Sequence, residues 1–160
     1  MFCFWYRFVL PNMNSIVSGN GDRVYDQKIE PQLNHYMGLI FKQICKQFLL
    51  EQLRCGKLPF FISNIGRWWG NNPKLKRQEE IDILTFHEDS ALFGECKWTN
   101  VLVDISNLND LIEQSELFYF GNNHFYLFAK IGFTEQCIKT AKTNDKVRLI
   151  TFDEINKQKK

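Results

Sequence analysis

The chain of 160 residues is long enough for one globular domain with its own core, and a composition of 44% hydrophobic and 24% charged residues is ordinary for such a domain. A net charge of +2 gives no global attraction to nucleic acid, so any such interaction has to come from local patches. The five cysteines are odd in number and never in C-x-x-C spacing, which argues against a disulfide framework or a zinc ribbon and indicates reduced thiols in a cytoplasmic protein.

The first ten residues are rich in aromatic side chains, but Arg7 interrupts them and the run is too short to cross a bilayer. We therefore expect neither a signal peptide nor a membrane anchor, here or elsewhere in the sequence. An aromatic segment of this kind either enters a dense core or is covered by a protein partner. Both readings of the segment stay open.

The next residues alternate between helix and strand signals. A turn-rich break at 18–22 precedes Pro31, and apolar residues at helical spacing predict a long helix from Gln32 to about Arg54. The later predicted elements are a strand over 60–69, a hairpin with strands 80–86 and 91–98, a helix from Ser106 to about Phe120, a strand over 124–131, a helix from Thr134 to Lys142 and a strand over 147–152. This order predicts an α/β fold, a mixed central sheet flanked by helices.

Two acids and a lysine stand at corresponding places in the predicted hairpin. If its turn is centred between Glu88 and Asp89, Asp82 pairs with Glu95, and Lys97 shares the face of Glu95. Like charges opposed across two strands are destabilising, and a divalent cation such as Mg²⁺ or Mn²⁺ would compensate them. The alternative is a shifted register that separates the two acids.

Neighbouring residues offer further alternatives. Glu80 faces the same side as Asp82 and pairs with Lys97 in this register, so a cross-strand ion pair is the structural alternative for the lysine. Trp68 and Trp69 are adjacent, so one points inward, and the outer one could stack on a nucleobase or sugar.

Two basic patches are candidates for contact with phosphate. Lys74, Lys76 and Arg77 precede the strand of Asp82 and are expected to hold the backbone of DNA, with a plain solvated loop as the alternative. The second patch is a basic tail at 156–160, for which a frayed terminus is the ordinary reading.

The pattern of Asp82 followed by Glu95-Cys96-Lys97 resembles the PD-(D/E)xK nuclease superfamily, which has the restriction-endonuclease-like fold. The resemblance implies that Asp82 and Glu95 hold Mg²⁺ or Mn²⁺ and that the backbone carbonyl of Cys96 completes its shell. It also implies that Lys97 positions the attacking water and that Glu80 is auxiliary. The implied reaction is hydrolysis of phosphodiester bonds in DNA.

Five ordered motifs resemble the domain of unknown function 234, which usually forms the C-terminal part of archaeal and bacterial AAA-type ATPases. They are FWYRFVLPN at 4–12, GRWWG at 66–70, EIDI at 80–83, GECKW at 94–98 and VRLI at 147–150. The sequence has no G-x-x-x-x-G-K-[ST] motif, so the resemblance implies a separate ATPase partner. We expect residues 1–30 to be the remnant of a linker or winged-helix region, 31–155 to be the nuclease-like domain and 156–160 to be the tail.

One departure from the family pattern leaves two functions open. The family's long helix normally carries a Glu after an aromatic residue, whereas this chain has Phe41-Lys42. The intact Asp82, Glu95 and Lys97 favour a metal-dependent nuclease. The substitution at Lys42 favours a degenerate nuclease-fold domain that serves nucleic-acid or protein interaction.

Overall fold

A computed structural model describes residues 2–73 and 76–157 of the chain. It divides the protein into two compact units, Met1–Leu39 and Ile40–Lys160. Within the described part, no helix combines the length and the apolar character that a membrane span requires.

The first unit consists of short helical segments from Phe2 to Ile29 and the start of a longer helix. Gly19, with φ of 83°, interrupts the helical conformation at the predicted turn-rich break. Phe8, Val24 and Ile29 form a small core against which other rings pack. The aromatic segment is thus partly a core, and it also leaves large side chains exposed, namely Trp5, Tyr6, Leu10, Val17 and Tyr25. A protein partner for this surface stays a prediction.

The predicted long helix, α1, covers Glu30–Arg54. Pro31 lies in its first turn, where the missing N–H costs no helical hydrogen bond. The part from Ile40 onwards belongs to the second unit. Gly56, with φ of 63°, follows the helix and allows the chain to turn away.

Among the described residues of the second unit, five strands form one mixed sheet, and their order in the sheet is their order in the chain. The first three are antiparallel, and the third, fourth and fifth are parallel to one another. The strands are β1 (Gly66–Asn72), β2 (Arg77–His87), β3 (Ser90–Lys97), β4 (Asn122–Ala129) and β5 (Val147–Thr151). They are accompanied by the helices α2 (Ile105–Ser115), α3 (Glu135–Thr143) and α4 (Phe152–Lys157).

Buried side chains lie on both faces of the sheet. One core cluster joins Ile81 and Phe93 of the sheet to Leu108 and Leu111 of α2. The other joins Ile83 and Leu92 of the sheet to helices α1 and α4, through Phe41, Cys45, Phe48 and Ile155. The predicted α/β fold, with a mixed central sheet flanked by helices, is confirmed.

Three predicted elements differ in extent. Residues 60–65 are irregular, with Ile62 buried and Phe61 exposed, and β1 begins only at Gly66. Helix α2 starts after Asp104 and stops at Ser115, and the aromatic residues beyond it pack back on the core from a turn. The last predicted strand extends to Phe152, whereas β5 ends at Thr151 and Phe152 begins the helix α4.

Candidate functional site

The β2–β3 hairpin has the predicted register. Phe86 pairs with Ala91, and the ladder runs as far as Ile83 opposite Gly94. It ends there, one step before Asp82 and Glu95, so those two residues are not a ladder pair. The turn prediction is therefore confirmed, and the expected direct opposition of the two acids is not formed.

The pairing of β2 with β1 contains an irregularity at the level of Asp82. Gly66 lies opposite Leu84 and Trp68 lies opposite Ile81, so two steps on β1 correspond to three on β2. As a result Ile81 joins the core cluster of α2 while Ile83, two residues later, joins that of α1. Strict alternation would have placed both on one face, so the extra residue changes which side chains meet α1.

Asp82 is almost fully buried, with 4% of its surface exposed, and both of its carboxylate oxygens have partners. Oδ2 accepts a hydrogen bond of 3.0 Å from the backbone N–H of Cys96. Oδ1 forms an ion pair with the ammonium of Lys42. Cys96 itself is buried on the α1 side, as its position between Glu95 and Lys97 requires.

Lys42 reaches the site from α1, immediately after the buried ring of Phe41. Its Nζ lies 3.3 Å from Oε1 of Glu80, in addition to the contact with Asp82. Burial lowers the pKa of Lys42, but the hydrogen bonds and charges of Asp82 and Glu80 more than offset this and raise it above its ordinary value. The side chain therefore stays charged at neutral pH and forms ion pairs with two acids at once.

Glu95 and Lys97 form a separate ion pair along β3, with 2.7 Å between Oε1 and Nζ. The predicted alternative, a Glu80–Lys97 pair, is wrong because Glu80 binds Lys42. Burial raises the pKa of Glu95, and the nearby charge of Asp82 raises it further, against the opposing effect of Lys97. Both side chains line a cavity of about 70 Å³ next to α2, with Asn107, Asp110, Leu111 and Gln114. A cavity of this size holds about two water molecules.

A divalent cation does not fit these residues as they are arranged. The two oxygens of Asp82 are occupied by Lys42 and by a backbone N–H, and Glu95 is bound to Lys97. Within residues 2–73 and 76–157 no cluster of three or more acidic, histidine or cysteine side chains could hold a metal ion. The ammonium of Lys42 lies beside Oδ1 of Asp82, where it would repel a cation bound to the same carboxylate.

The basic loop before β2 is only partly described, because Lys74 lies outside the described residues. Lys76 is exposed, with φ of 52°. Arg77 forms an ion pair of 2.8 Å with Glu79, which also accepts a hydrogen bond of 2.7 Å from Gln114. Buried Glu79 was missed in the sequence, and it shows that Arg77 has a structural partner within the domain. In the basic tail, Lys157 ends α4, and Lys159 and Lys160 lie outside the described residues.

The two adjacent tryptophans point to opposite faces of the sheet, as predicted. Trp68 packs edge-on against Phe118, with 5.1 Å between ring centroids. A Cβ at Gly70 would lie 2.4 Å from the Trp68 ring, so glycine is needed for the ring to lie there. Trp69 is 64% exposed, and the guanidinium of Arg67 lies 5.2 Å from its ring centroid. The one indication of this contact in the sequence is that Arg67 lies two residues before Trp69, a spacing that places both side chains on the same face of a strand.

Similar proteins are known from both sequence and structure. An uncharacterized protein of Methanocaldococcus jannaschii, MJECL04, is 34% identical over 119 residues, which span 71% of this chain and 25% of that protein. The crystal structure of a protein of unknown function, AF1548, is 16% identical with a TM-score of 0.47, covering 74% of this chain and 66% of that one. A repair endonuclease from Pyrococcus abyssi is 15% identical with a TM-score of 0.42, covering 69% and 46%.

The chain thus spans only part of the length of each of these three proteins. A family profile matches across residues 5–110, which include the GRWWG, EIDI and GECKW motifs that build the hairpin site. The matched segment covers more than half of the chain, and it contains α1, β1, β2 and β3. The chain belongs to the family DUF234, archaeal and bacterial proteins of unknown function.

Proposed function

We propose that this domain is a nuclease-fold domain that binds nucleic acid without cutting it. The observation that carries the proposal is the ion pair of Lys42 with buried Asp82. A PD-(D/E)xK site needs Asp82 free to hold a divalent cation, and here a cationic side chain of the domain itself already holds it.

The energetics favour the lysine over a metal ion. Asp82 is 4% exposed, so leaving it without a counter-charge would be costly, and Lys42 removes that cost. A divalent cation would have to displace the ammonium and would then lie beside it, with repulsion of like charges at short range. Magnesium also requires six oxygen ligands in near-ideal geometry, whereas Asp82 and Glu95 are both engaged within the protein.

Binding to nucleic acid is supported by the same charge arrangement. Because Lys42 pairs with both Glu80 and Asp82, it offsets one of their two negative charges and lowers their repulsion of a phosphate backbone. The exposed Lys76 extends this surface at the far end of β2. Phosphate contacts of this type position a nucleic acid without reading its sequence.

The test is a pair of assays on the whole chain with and without divalent ions. Binding of labelled DNA is measured in EDTA and in Mn²⁺, and cutting of plasmid and single-stranded DNA is measured in Mg²⁺ and Mn²⁺. We expect binding that does not depend on metal, and no cutting. Cutting that requires Mn²⁺ and is lost in Asp82→Asn would overturn the proposal, as would failure to bind any nucleic acid.

A metal-dependent nuclease is the second candidate. It is favoured by the proximity of Asp82, Glu95 and Lys97 at one end of the hairpin, close enough for Asp82 to raise the pKa of Glu95. For this function Mg²⁺ or Mn²⁺ would be required, and Lys42 would have to leave Asp82. Isothermal titration of Mn²⁺ into the wild type separates the candidates, because only the second expects saturable binding that is lost in an Asp82→Asn/Glu95→Gln variant.

A further inference from the structure

The outer face of β1 carries an exposed aromatic ring in an open position. β1 is the first strand of the sheet, and within the described part of the chain only β2 pairs with it. Trp69 lies directly opposite Glu80 of β2, and Glu80 binds Lys42. The ring of Trp69 therefore lies on the same face of the sheet as the Lys42–Asp82 pair.

Arg67 connects this ring to a groove at the start of β1. The pairing of β1 with β2 begins at Leu84, and β2 continues for three residues beyond that point. The groove lies at this step between the two strand ends. Its volume is about 520 Å³, and its lining includes Arg67, Ser63, Asn64, Thr85 and His87. Arg67 thus borders the groove and also covers one side of the Trp69 ring.

The groove contains an unsatisfied polar group. Thr85 is 1% exposed, and its hydroxyl oxygen has no hydrogen-bond partner among the residues that the structure describes. A buried hydroxyl without a partner is unfavourable, and Thr85 belongs to the wall of the groove, so a shift that opened this hydroxyl to the groove would let an oxygen or nitrogen of a ligand pair with it. This observation is independent of the exposure of Trp69.

We propose that Trp69 and Arg67 form a stacking platform for an unpaired base of single-stranded nucleic acid, with the adjoining sugar and phosphate in the groove of Thr85. The inference rests on the proposed function, and it adds the class of nucleic acid and the residues that select it. Stacking requires a base face, which a duplex keeps covered by its neighbours.

Arg67 favours a nucleic acid as the occupant. It supplies a cation at the groove, whose lining also includes the acid Glu88, and Lys42 forms an ion pair with the acid that stands opposite Trp69. Arginine beside an exposed aromatic ring serves both phosphate and the base face. His87 and Asn64 supply further polar groups along the groove.

The test compares Trp69→Ala with two reference variants in the whole chain. Trp69→Phe keeps a stacking ring, and Tyr119→Ala removes a ring that is 98% exposed elsewhere on the surface. Binding is followed by fluorescence anisotropy in EDTA with a labelled thymidine oligonucleotide, the same strand with abasic sites, and a duplex. Thermal unfolding confirms that each variant is folded.

We expect Trp69→Ala to bind the oligonucleotide about tenfold more weakly, the effect of losing one stacked base. Trp69→Phe should keep most of the affinity, Tyr119→Ala all of it, and the abasic strand should bind the wild type and Trp69→Ala equally. Arg67→Gln should lower the slope of affinity against salt by about one phosphate contact, which Trp69→Ala leaves unchanged.

Two results would overturn the inference, and they differ in what they imply. If the wild type binds and Trp69→Ala binds equally well, or loses the same affinity for the abasic strand, the stacking platform is wrong while the proposed function stands. If the wild type binds neither single strand nor duplex, the proposed function fails and this inference fails with it.

Discussion

The ion pair between Lys42 and Asp82 can be tested by a double-mutant cycle of stability. Lys42→Met removes the ammonium and keeps the length of the side chain, so that Asp82, 4% exposed, retains only the N–H of Cys96. Removing one partner of a fully buried pair costs about 3–5 kcal/mol, and an exposed pair contributes about 0–1 kcal/mol. Because the Lys42 side chain is 29% exposed, the expected loss lies between these limits, at about 2 kcal/mol.

The cycle is completed by Asp82→Asn and by the double variant, measured by urea unfolding at neutral pH. Asparagine can still accept the N–H of Cys96, so the cycle reports mainly the charge interaction. We expect a coupling of about 1–2 kcal/mol, which corresponds to a change in Tm of about 2–8 °C for a chain of this size. Additivity within about 0.3 kcal/mol would refute the ion pair. The exposed pair of Lys139 and Glu135, 3.9 Å apart on α3, is the matched control and should show no measurable coupling.

Three further predictions follow from the described contacts. Lys42→Glu should create a site for Mn²⁺, seen as saturable heat of binding and as a Tm raised by Mn²⁺, whereas Lys46→Glu on the same helix should not; no binding by Lys42→Glu would show that charge is not what excludes the metal. Burial raises the pKa of Glu79, but its hydrogen bonds to Arg77 and Gln114 lower this pKa overall. The stability that Glu79 contributes is therefore present above the ordinary pKa of 4.5, and it is lost as the pH falls through the lowered pKa. Glu79→Gln should therefore cost about 1 kcal/mol at pH 7 and progressively less in acid, and a loss independent of pH would contradict this assignment. A thiol reagent should modify Cys3 and Cys55 rapidly and the three buried thiols only on unfolding, and a third fast thiol would contradict the burial of Cys45, Cys96 and Cys137.

Local signals in the sequence account for much of the fold. The polar residues of the β2–β3 turn specify its register, because a two-residue connection leaves little freedom in pairing Phe86 with Ala91. Thr134 caps α3 as predicted, with its side chain accepting the N–H of Cys137. These interactions join residues that are close in sequence, so their pattern is visible without the rest of the structure.

The same kind of signal was present for α4 and was not used. Thr151 and Glu154 cap this helix reciprocally, since the N–H of Thr151 donates to the Glu154 carboxylate at 2.6 Å and the N–H of Glu154 donates to the Thr151 hydroxyl at 3.3 Å. The spacing T-x-x-E is the sequence signature of this capping box. The predicted strand over 147–152 is therefore one residue too long, because this signature places Phe152 at the start of the helix.

The candidate site could be predicted only in part, because its decisive contacts are distant in sequence. Asp82, Glu95 and Lys97 follow from one hairpin, and the substitution at Lys42 was visible from the family pattern. That the ammonium of Lys42 enters the site, rather than pointing to solvent, depends on how α1 packs against β2. The end of the ladder at Gly94 likewise depends on the third strand, β1, and has no signature in the hairpin itself.

The extra residue in β2 has a consequence for the evolution and engineering of this domain. The two halves of the strand are out of phase, so Glu79 and Ile81 face α2, whereas Ile83 faces α1. Asp82 and Ile83 both face α1, between Ile81 and Leu84 on the opposite face, so deleting one of the two would restore regular alternation and leave both halves of the strand on their present faces. A deletion elsewhere in β2 would instead turn the residues on one side of it to the opposite face of the sheet. Segments exchanged between relatives should carry β2 together with both of its neighbouring strands.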